Sequence, residues 1–251
     1  MINSLLIDNY LNKAYFIVIH MNYEYLHQNY KVLIEDIRNT CDNFGKDFDK
    51  ISLVAISKTF SSEDVAELFK GGHFDFGENK VQELTKKQEE LRELAIKWHL
   101  VGHLQTNKVK YIIDFIHLVH SVDSLKLAVE IDTQAKKSNK VIDVLIQVNT
   151  SGEDQKSGAE PADTKNLCKE ISGLENVRLK GLMTIGMFTD DEKIIRENFK
   201  TLRNIYEDLK PVHNNFEYLS MGMTSDYKIA IEEGANMLRI GSAIFGNRIY
   251  Q

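Results

Sequence analysis

The chain has 251 residues, 43% hydrophobic and 27% charged, and a chain of this size buries a full core without disulfides or metal staples. Lys+Arg total 31 against 37 Asp+Glu, and the net charge of -6 argues against a general nucleic-acid binder, whose affinity comes mostly from cation–phosphate contacts. With only 14 glycines and 2 prolines, collagen-like and disordered compositions are excluded.

The first twenty residues, MINSLLIDNYLNKAYFIVIH, contain one short apolar run, Tyr15–His20. Asp8 and Lys13 precede it, and it has neither a basic leader nor a clear cleavage site, so it makes a poor signal peptide. No segment approaches the roughly 18 apolar residues that span a bilayer. Met21 then opens NYEYLHQNYKVLIEDIRNTC, with Tyr25, Leu26, Tyr30, Leu33, Ile34 and Ile37 at helical spacing. The expected organisation is therefore an appended or poorly ordered extension over 1–20 and one domain over 21–251, with Met21 as the natural start. The intact mass of the protein from its native host checks this; a mass that includes 1–20 overturns it.

Beyond the first helix the chain alternates. Strand-length apolar runs occur at 51–57, 73–77, 98–103, 116–121, 142–149, 178–185, 216–222 and 237–241. Charged stretches of helical period separate them. In NKVQELTKKQEELRELAIK a face forms from Val81, Leu84, Leu91, Leu94 and Ala95. In DEKIIRENFKTLRNIYEDL it forms from Ile194, Ile195, Phe199, Leu202, Ile205, Tyr206 and Leu209. Such alternation means parallel strands with crossover helices, and the length matches a single (β/α)8 barrel. An open doubly wound sheet is the alternative. Its glycine-rich phosphate loop belongs after the first strand, where Lys58-Thr59-Phe60 stands instead. Glycine-rich turns come after the seventh and eighth strands, where barrels commonly bind phosphate.

Several residues stand where chemistry is done. Lys58 ends the run LVAIS; a lysine at a barrel strand tip is either a solvated end or, desolvated, a carbonyl nucleophile. LSMGMTSDYKIAIEEG offers Ser220, Gly222 and backbone N–H groups to an anion, or else a helix cap from Thr224, Ser225 or Asp226. Arg239 lies inside an apolar strand and needs an acceptor if buried, whether a ligand or a structural carboxylate. Gly241, next to Ser242, permits close approach of a phosphate. Glu78 and Asn79 arrive at a strand end, where Asn79 either faces a ligand or caps a helix. His103, Gln105 and Asn107 read as polar groups at a strand mouth. His99 and His103 are four apart but on strand and loop, so no metal site is expected. Cys41 and Cys168 form no CxxC pair, which disfavours structural zinc and fits a reduced cytoplasmic interior.

Together, LVAISKTF, FGENKVQEL, WHLVGHLQTNKVK, QVNTSGEDQKSG, GLMTIG and LSMGMTSDYKIAIEEGANMLRIGSAIFGNR closely resemble the pyridoxal phosphate homeostasis protein family, in order and from about Met21 to Tyr250. The resemblance implies an alanine-racemase-like, fold type III barrel without a second domain, binding pyridoxal 5′-phosphate (PLP). Lys58 matches the lysine of the internal aldimine, Ser220, Gly241 and Ser242 match phosphate-binding positions, and the turn through Gly222 adjoins them. Arg239 matches the arginine facing the pyridine nitrogen, and Asn79 and Met183 are expected near the cofactor. GLMTIG departs from the family by running into Met187-Phe188 without the usual proline. The implied role is PLP homeostasis, and through it amino-acid balance, by holding PLP on Lys58 without catalytic turnover. A cytoplasmic monomer is expected, with apo PLP-dependent enzymes as transient partners and no nucleic-acid or membrane partner. A PLP-dependent racemase and a phosphate-binding barrel isomerase without PLP are the competing readings. Lys156, on the loop after the fifth strand, is a candidate for transient capture of PLP.

Overall fold

The computed structural model describes residues 2–153, 155 and 157–246, with side chains from Tyr23 onward. In chain order the elements are α1 (Ile2–Asn43), β1 (Ser52–Ile56), α2 (Ser62–Lys70), β2 (Asp75–Glu78), α3 (Val81–Glu90), β3 (Lys97–Leu100), β4 (Ile116–Val122), α4 (Leu125–Lys137), β5 (Ile142–Gln147), α5 (Thr164–Ile171), β6 (Val177–Met183), α6 (Glu192–Leu209), β7 (Tyr218–Ser220), α7 (Tyr227–Glu232), β8 (Met237–Ile240) and α8 (Ser242–Phe245). The eight strands are parallel and close in sequence order into a barrel. Closure is made by β8 on β1, from Ser52 opposite Met237 to Ala55 opposite Ile240. This rules out the open doubly wound sheet. Between β3 and β4 a 3-10 turn, Thr106–Tyr111, replaces the crossover α-helix.

Strand alternation sorts the apolar residues into two cores. Val54 and Ile56 of β1, Leu118 of β4, Leu145 of β5, Met183 of β6 and Met237 of β8 pack together inside the barrel. Their neighbours, including Ala55, Val144 and Ile146, pack outward against the helices. Each fully buried aliphatic side chain contributes about 1.5–3 kcal/mol, so the helix layer, with much the larger buried cluster, holds more of the fold than the barrel interior.

The expected helical faces are met in part. On α1, Leu26, Leu33, Ile37 and Cys41 are buried, whereas Tyr25 is exposed. On α6, Ile195, Phe199, Leu202, Tyr206 and Leu209 are buried. On α3 the helix ends at Glu90, and its buried stripe is Val81, Leu84 and Lys87. Among the described residues no helix is long and apolar enough to cross a membrane.

α1 packs on α2, α7 and α8, where the last βα unit meets the first. Asp36 ties it down, accepting from Tyr227 Oη and from Lys228 Nζ at 2.8 Å. Burial raises the Asp36 pKa, but the Lys228 and Tyr227 bonds outweigh it and hold the carboxyl below its ordinary value. A lowered acid pKa gives stability that is complete above the unfolded value, about 3.9, and is lost as pH falls through the folded value. Asp36→Asn is therefore expected to melt below the wild type near neutral pH. The gap should close as pH is lowered beneath about 4, as thermal melts across pH will show.

Candidate functional site

A cavity of about 500 Å³ opens at the C-terminal ends of the strands. Its walls include Lys58 after β1, Asn79 after β2, Gly102 after β3, Ile185 and Phe188 after β6, Met223–Ser225 after β7, Arg239 on β8, and Gly241 and Ser242 beyond it. Five of the expected site residues, Lys58, Asn79, Arg239, Gly241 and Ser242, thus share one cavity although they span most of the chain.

Lys58 sits on a tightly held turn. The preceding Ser57 is fully buried, and its Oγ donates to Glu78 Oε1 at 2.7 Å. Its carbonyl accepts from Lys87 Nζ at 2.7 Å. Lys87 also pairs with Glu78 Oε1 at 2.6 Å and Glu83 Oε1 at 2.9 Å. On the other side of Lys58, the Thr59 N–H donates to Glu83 Oε1 at 2.6 Å. Thr59 has φ of 71°, a left-handed conformation that costs a β-branched residue about 1–3 kcal/mol and persists only where its surroundings over-determine it. The Glu78–Lys87–Glu83 cluster supplies that constraint. Burial pushes the Glu78 carboxyl up, against the pull of Lys87 and Ser57, and its Oε2 has no hydrogen-bond partner.

Arg239 is buried, donating through Nη1 to Ser220 Oγ at 2.6 Å and through Nη2 to the Thr184 carbonyl at 2.7 Å. Among the described residues it has no ion-pair partner. Burial brings its pKa down to about 10, with Asp226 pulling the other way. It therefore stays a cation at neutral pH, within the wall of the cavity.

Hydroxyls of Thr224, Ser225 and Ser242 belong to the same wall. Ser242 Oγ donates to Thr224 Oγ1 at 3.1 Å, and the Ala243 N–H reaches the same Thr224 oxygen at 3.4 Å, which clasps the β7 and β8 loops together. A Cβ on Gly241 would lie 2.9 Å from the Ile56 carbonyl, so only glycine lets the chain pass between cavity and β1.

The remaining expected residues lie behind this wall. Met183 is in the barrel interior. Ser220 is fully buried and holds Arg239. Gly222 has φ of 95°, its carbonyl accepts the Arg239 N–H, and a Cβ there would come within 2.6 Å of Ala230 Cβ. Its role here is to pack the turn under α7. Asn79 is not the cap of α3, which is Lys80. Lys156 lies outside the described residues.

Thr224 and Ser225 enter the cavity wall although their sequence reads equally well as a helix cap. Below Arg239 runs a second unexpected feature. His120 Nδ1 lies 3.4 Å from Ser220 Oγ, His120 Nε2 lies 2.9 Å from His99 Nδ1, and His99 Nε2 lies 3.1 Å from Asp75 Oδ1. Burial lowers both imidazole pKa values, that of His120 well below the ordinary range with help from the charges of His99 and Arg239.

The alanine racemase N-terminal domain family matches residues 34–248. The pyridoxal phosphate homeostasis protein of Aquifex aeolicus is 42% identical over 219 residues, covering 87% of this chain and 96% of that protein. The chain belongs to the pyridoxal phosphate homeostasis protein family. The family member of Helicobacter pylori strain 26695 is 40% identical, covering 78% of this chain and 87% of its own length. PipY of Synechococcus elongatus, solved with PLP bound, superposes with a TM-score of 0.73 at 33% identity, covering 78% of this chain and 93% of that one. Alanine racemase of Clostridium difficile has a TM-score of 0.67 at 16% identity and is covered over 57% of its length. That likeness shows that the family shares the racemase barrel, and nothing about racemisation.

Proposed function

We propose that the chain binds PLP in this cavity, linked covalently to Lys58, and serves intracellular PLP homeostasis by holding and releasing the cofactor without turnover. One observation carries the reading. A held lysine and a buried guanidinium with no ion pair among the described residues share one cavity whose other described walls bear no acid or base. The cavity suits the cofactor: its volume is that of a small-molecule site, Arg239 meets an electron-rich ring atom, and Thr224, Ser225, Ser242 and the bare backbone at Gly241 meet a phosphate. PipY, a 33%-identical neighbour, is a PLP-bound protein.

PLP supplies an aldehyde that an amine captures reversibly and a ring that withdraws electrons. Lys58 provides the amine, and Ser57, Glu78, Lys87 and Glu83 hold the turn that presents it. Arg239 would hold the ring nitrogen by donating to it while keeping its own proton, which would leave the ring a weak electron sink. Racemisation requires proton transfer on both faces of the substrate carbon. Among the described walls Lys58 is the one group suited to that task, which favours a carrier over a racemase. Buried, unpaired Cys41 and Cys168 agree with a cytoplasmic setting. The exposed Ile185 and Phe188 at the rim are where transient contact with apo-enzymes, made by a monomer, is proposed.

Borohydride reduction of PLP-loaded protein followed by peptide mapping is expected to place a pyridoxyl adduct on Lys58. Its absence would return the isomerase reading. Incubation with single L-amino acids in deuterated water is expected to give no turnover-scale α-deuterium; protein-dependent incorporation at turnover would establish the racemase reading instead.

A further inference from the structure

At the N-terminal end of the barrel, away from the cavity, three strands bring together Asp75 of β2, His99 of β3 and His117 of β4. We propose that these three side chains form a binding site for a divalent first-row transition-metal ion such as zinc. One ligand atom from each lies within 4.8 Å of the other two. His99 Nε2 and Asp75 Oδ1 are 3.1 Å apart. Two ligands at about 2.1 Å in a tetrahedral zinc site stand about 3.4 Å apart, so this pair lies within a few tenths of an ångström of the spacing of neighbouring ligands.

His117 owes its place to a β-bulge. Trp98 pairs with Ile116 but His99 with Leu118, leaving His117 as the extra residue of β4. Ile116 faces the helices and Leu118 the barrel interior, while His117 is exposed and its ring centroid lies 5.3 Å from that of His99. Bulges re-aim side chains in this way. The exposed imidazole swings the short distance needed to close the triad and leaves an entry path. Two imidazoles and one carboxylate with an open position are a donor set for zinc, iron(II), cobalt(II) or nickel(II) rather than calcium or magnesium. The orienting hydrogen bond that such histidines need is present, because the other nitrogen of His99 faces His120 Nε2 at 2.9 Å. Lys97 Nζ, 3.8 Å from Asp75 Oδ2 and half exposed, is the cation that the metal displaces.

Occupancy also dictates where protons sit between this site and Arg239. Without metal, Asp75 accepts only and Arg239 donates only. Every hydrogen bond between them then runs one way: Arg239 to Ser220, Ser220 to His120, His120 to His99, His99 to Asp75. A metal on His99 Nε2 puts the His99 proton on Nδ1, which donates to His120 Nε2. His120 in turn donates through Nδ1 to Ser220 Oγ. Both tautomers then reverse, and the Ser220 hydroxyl proton is released from His120 directly beside Arg239.

The test uses the full chain after chelator treatment, titrated with zinc by calorimetry and with cobalt(II) by visible absorption. One ion per chain is expected, with affinity at least about tenfold weaker in His117→Ala and in Asp75→Asn, and unchanged in His103→Ala. His117→Ala alters an exposed side chain, so thermal melts should confirm an intact fold. Nitrogen-15 NMR should show the His99 and His120 tautomers exchanging when zinc is added. Absence of saturable one-to-one binding, or binding that survives in both His117→Ala and Asp75→Asn, overturns the site. None of these measurements depends on PLP, so failure here leaves the proposed function standing.

Discussion

Lys58→Ala is expected to abolish the visible absorbance and the borohydride-trapped adduct of PLP-loaded protein while leaving the melting temperature within about 2 °C of the wild type. The chemical loss is complete because no other lysine lines the described cavity. The structural loss is small because Lys58 is half-buried at a strand tip and belongs to neither apolar core. The clamps on Ser57 and Thr59 act through backbone groups and the Ser57 hydroxyl, all of which survive the substitution. Absorption spectra and thermal melts of the same preparation check both halves. An adduct that persists elsewhere, or a collapsed fold, would contradict the assignment.

Lys87→Ala should do the opposite, lowering stability by about 3–5 kcal/mol, a fall in melting temperature on the order of 10 °C. Glu78 is fully buried, and removing Lys87 strands its carboxylate without a counter-charge, with one oxygen already unpartnered. The cost of an isolated buried charge exceeds that of the lost pair. The double variant Glu78→Gln, Lys87→Met is therefore expected to recover most of the stability. Urea titration of the wild type, the single variant and the double variant measures this. Because Lys87 also holds the Ser57 carbonyl, the single variant should lose part of its Lys58 adduct at limiting PLP. The two lysines thus separate, one in the cavity and needed for chemistry, the other behind it and needed for the frame that presents the first.

The barrel was legible because its signal is local. Strand boundaries read from runs such as ISLVAIS and IDVLIQVN agree with the observed strands to within a few residues. The eighth run closes on the first as expected for eight alternating units. The shortest strand, β7, covers only Tyr218–Ser220 of a run read as 216–222, because the chain turns at Gly222 to pack beneath α7. The long charged stretch after β2 was harder. Its buried stripe includes Lys87, a residue type that pattern reading assigns to solvent, because only the folded barrel sets Glu78 and Ser57 beside it. The i, i+3 spacing of Val81, Leu84 and Lys87 was the one available hint. His99 and His103, adjacent in a naive spacing, part company. His99 enters the barrel interior, whereas His103 sits exposed 3.8 Å from Asp123.

By itself the sequence determined the alternation of strands and helices, the placing of Lys58 and Arg239 at or near strand ends, and the need for glycine at 241. Each follows from local periodicity, residue chemistry or a short motif. Only the tertiary structure decided that Ser220 braces Arg239, that Met183 is core, that Thr224 and Ser225 face the cavity, and that His99 and His120 link Arg239 to Asp75. The physical reason is the closure of the sheet. It sets inward-facing side chains from distant strands at hydrogen-bonding distance, and the bulge on β4 changes which residues point inward without changing the apolar pattern.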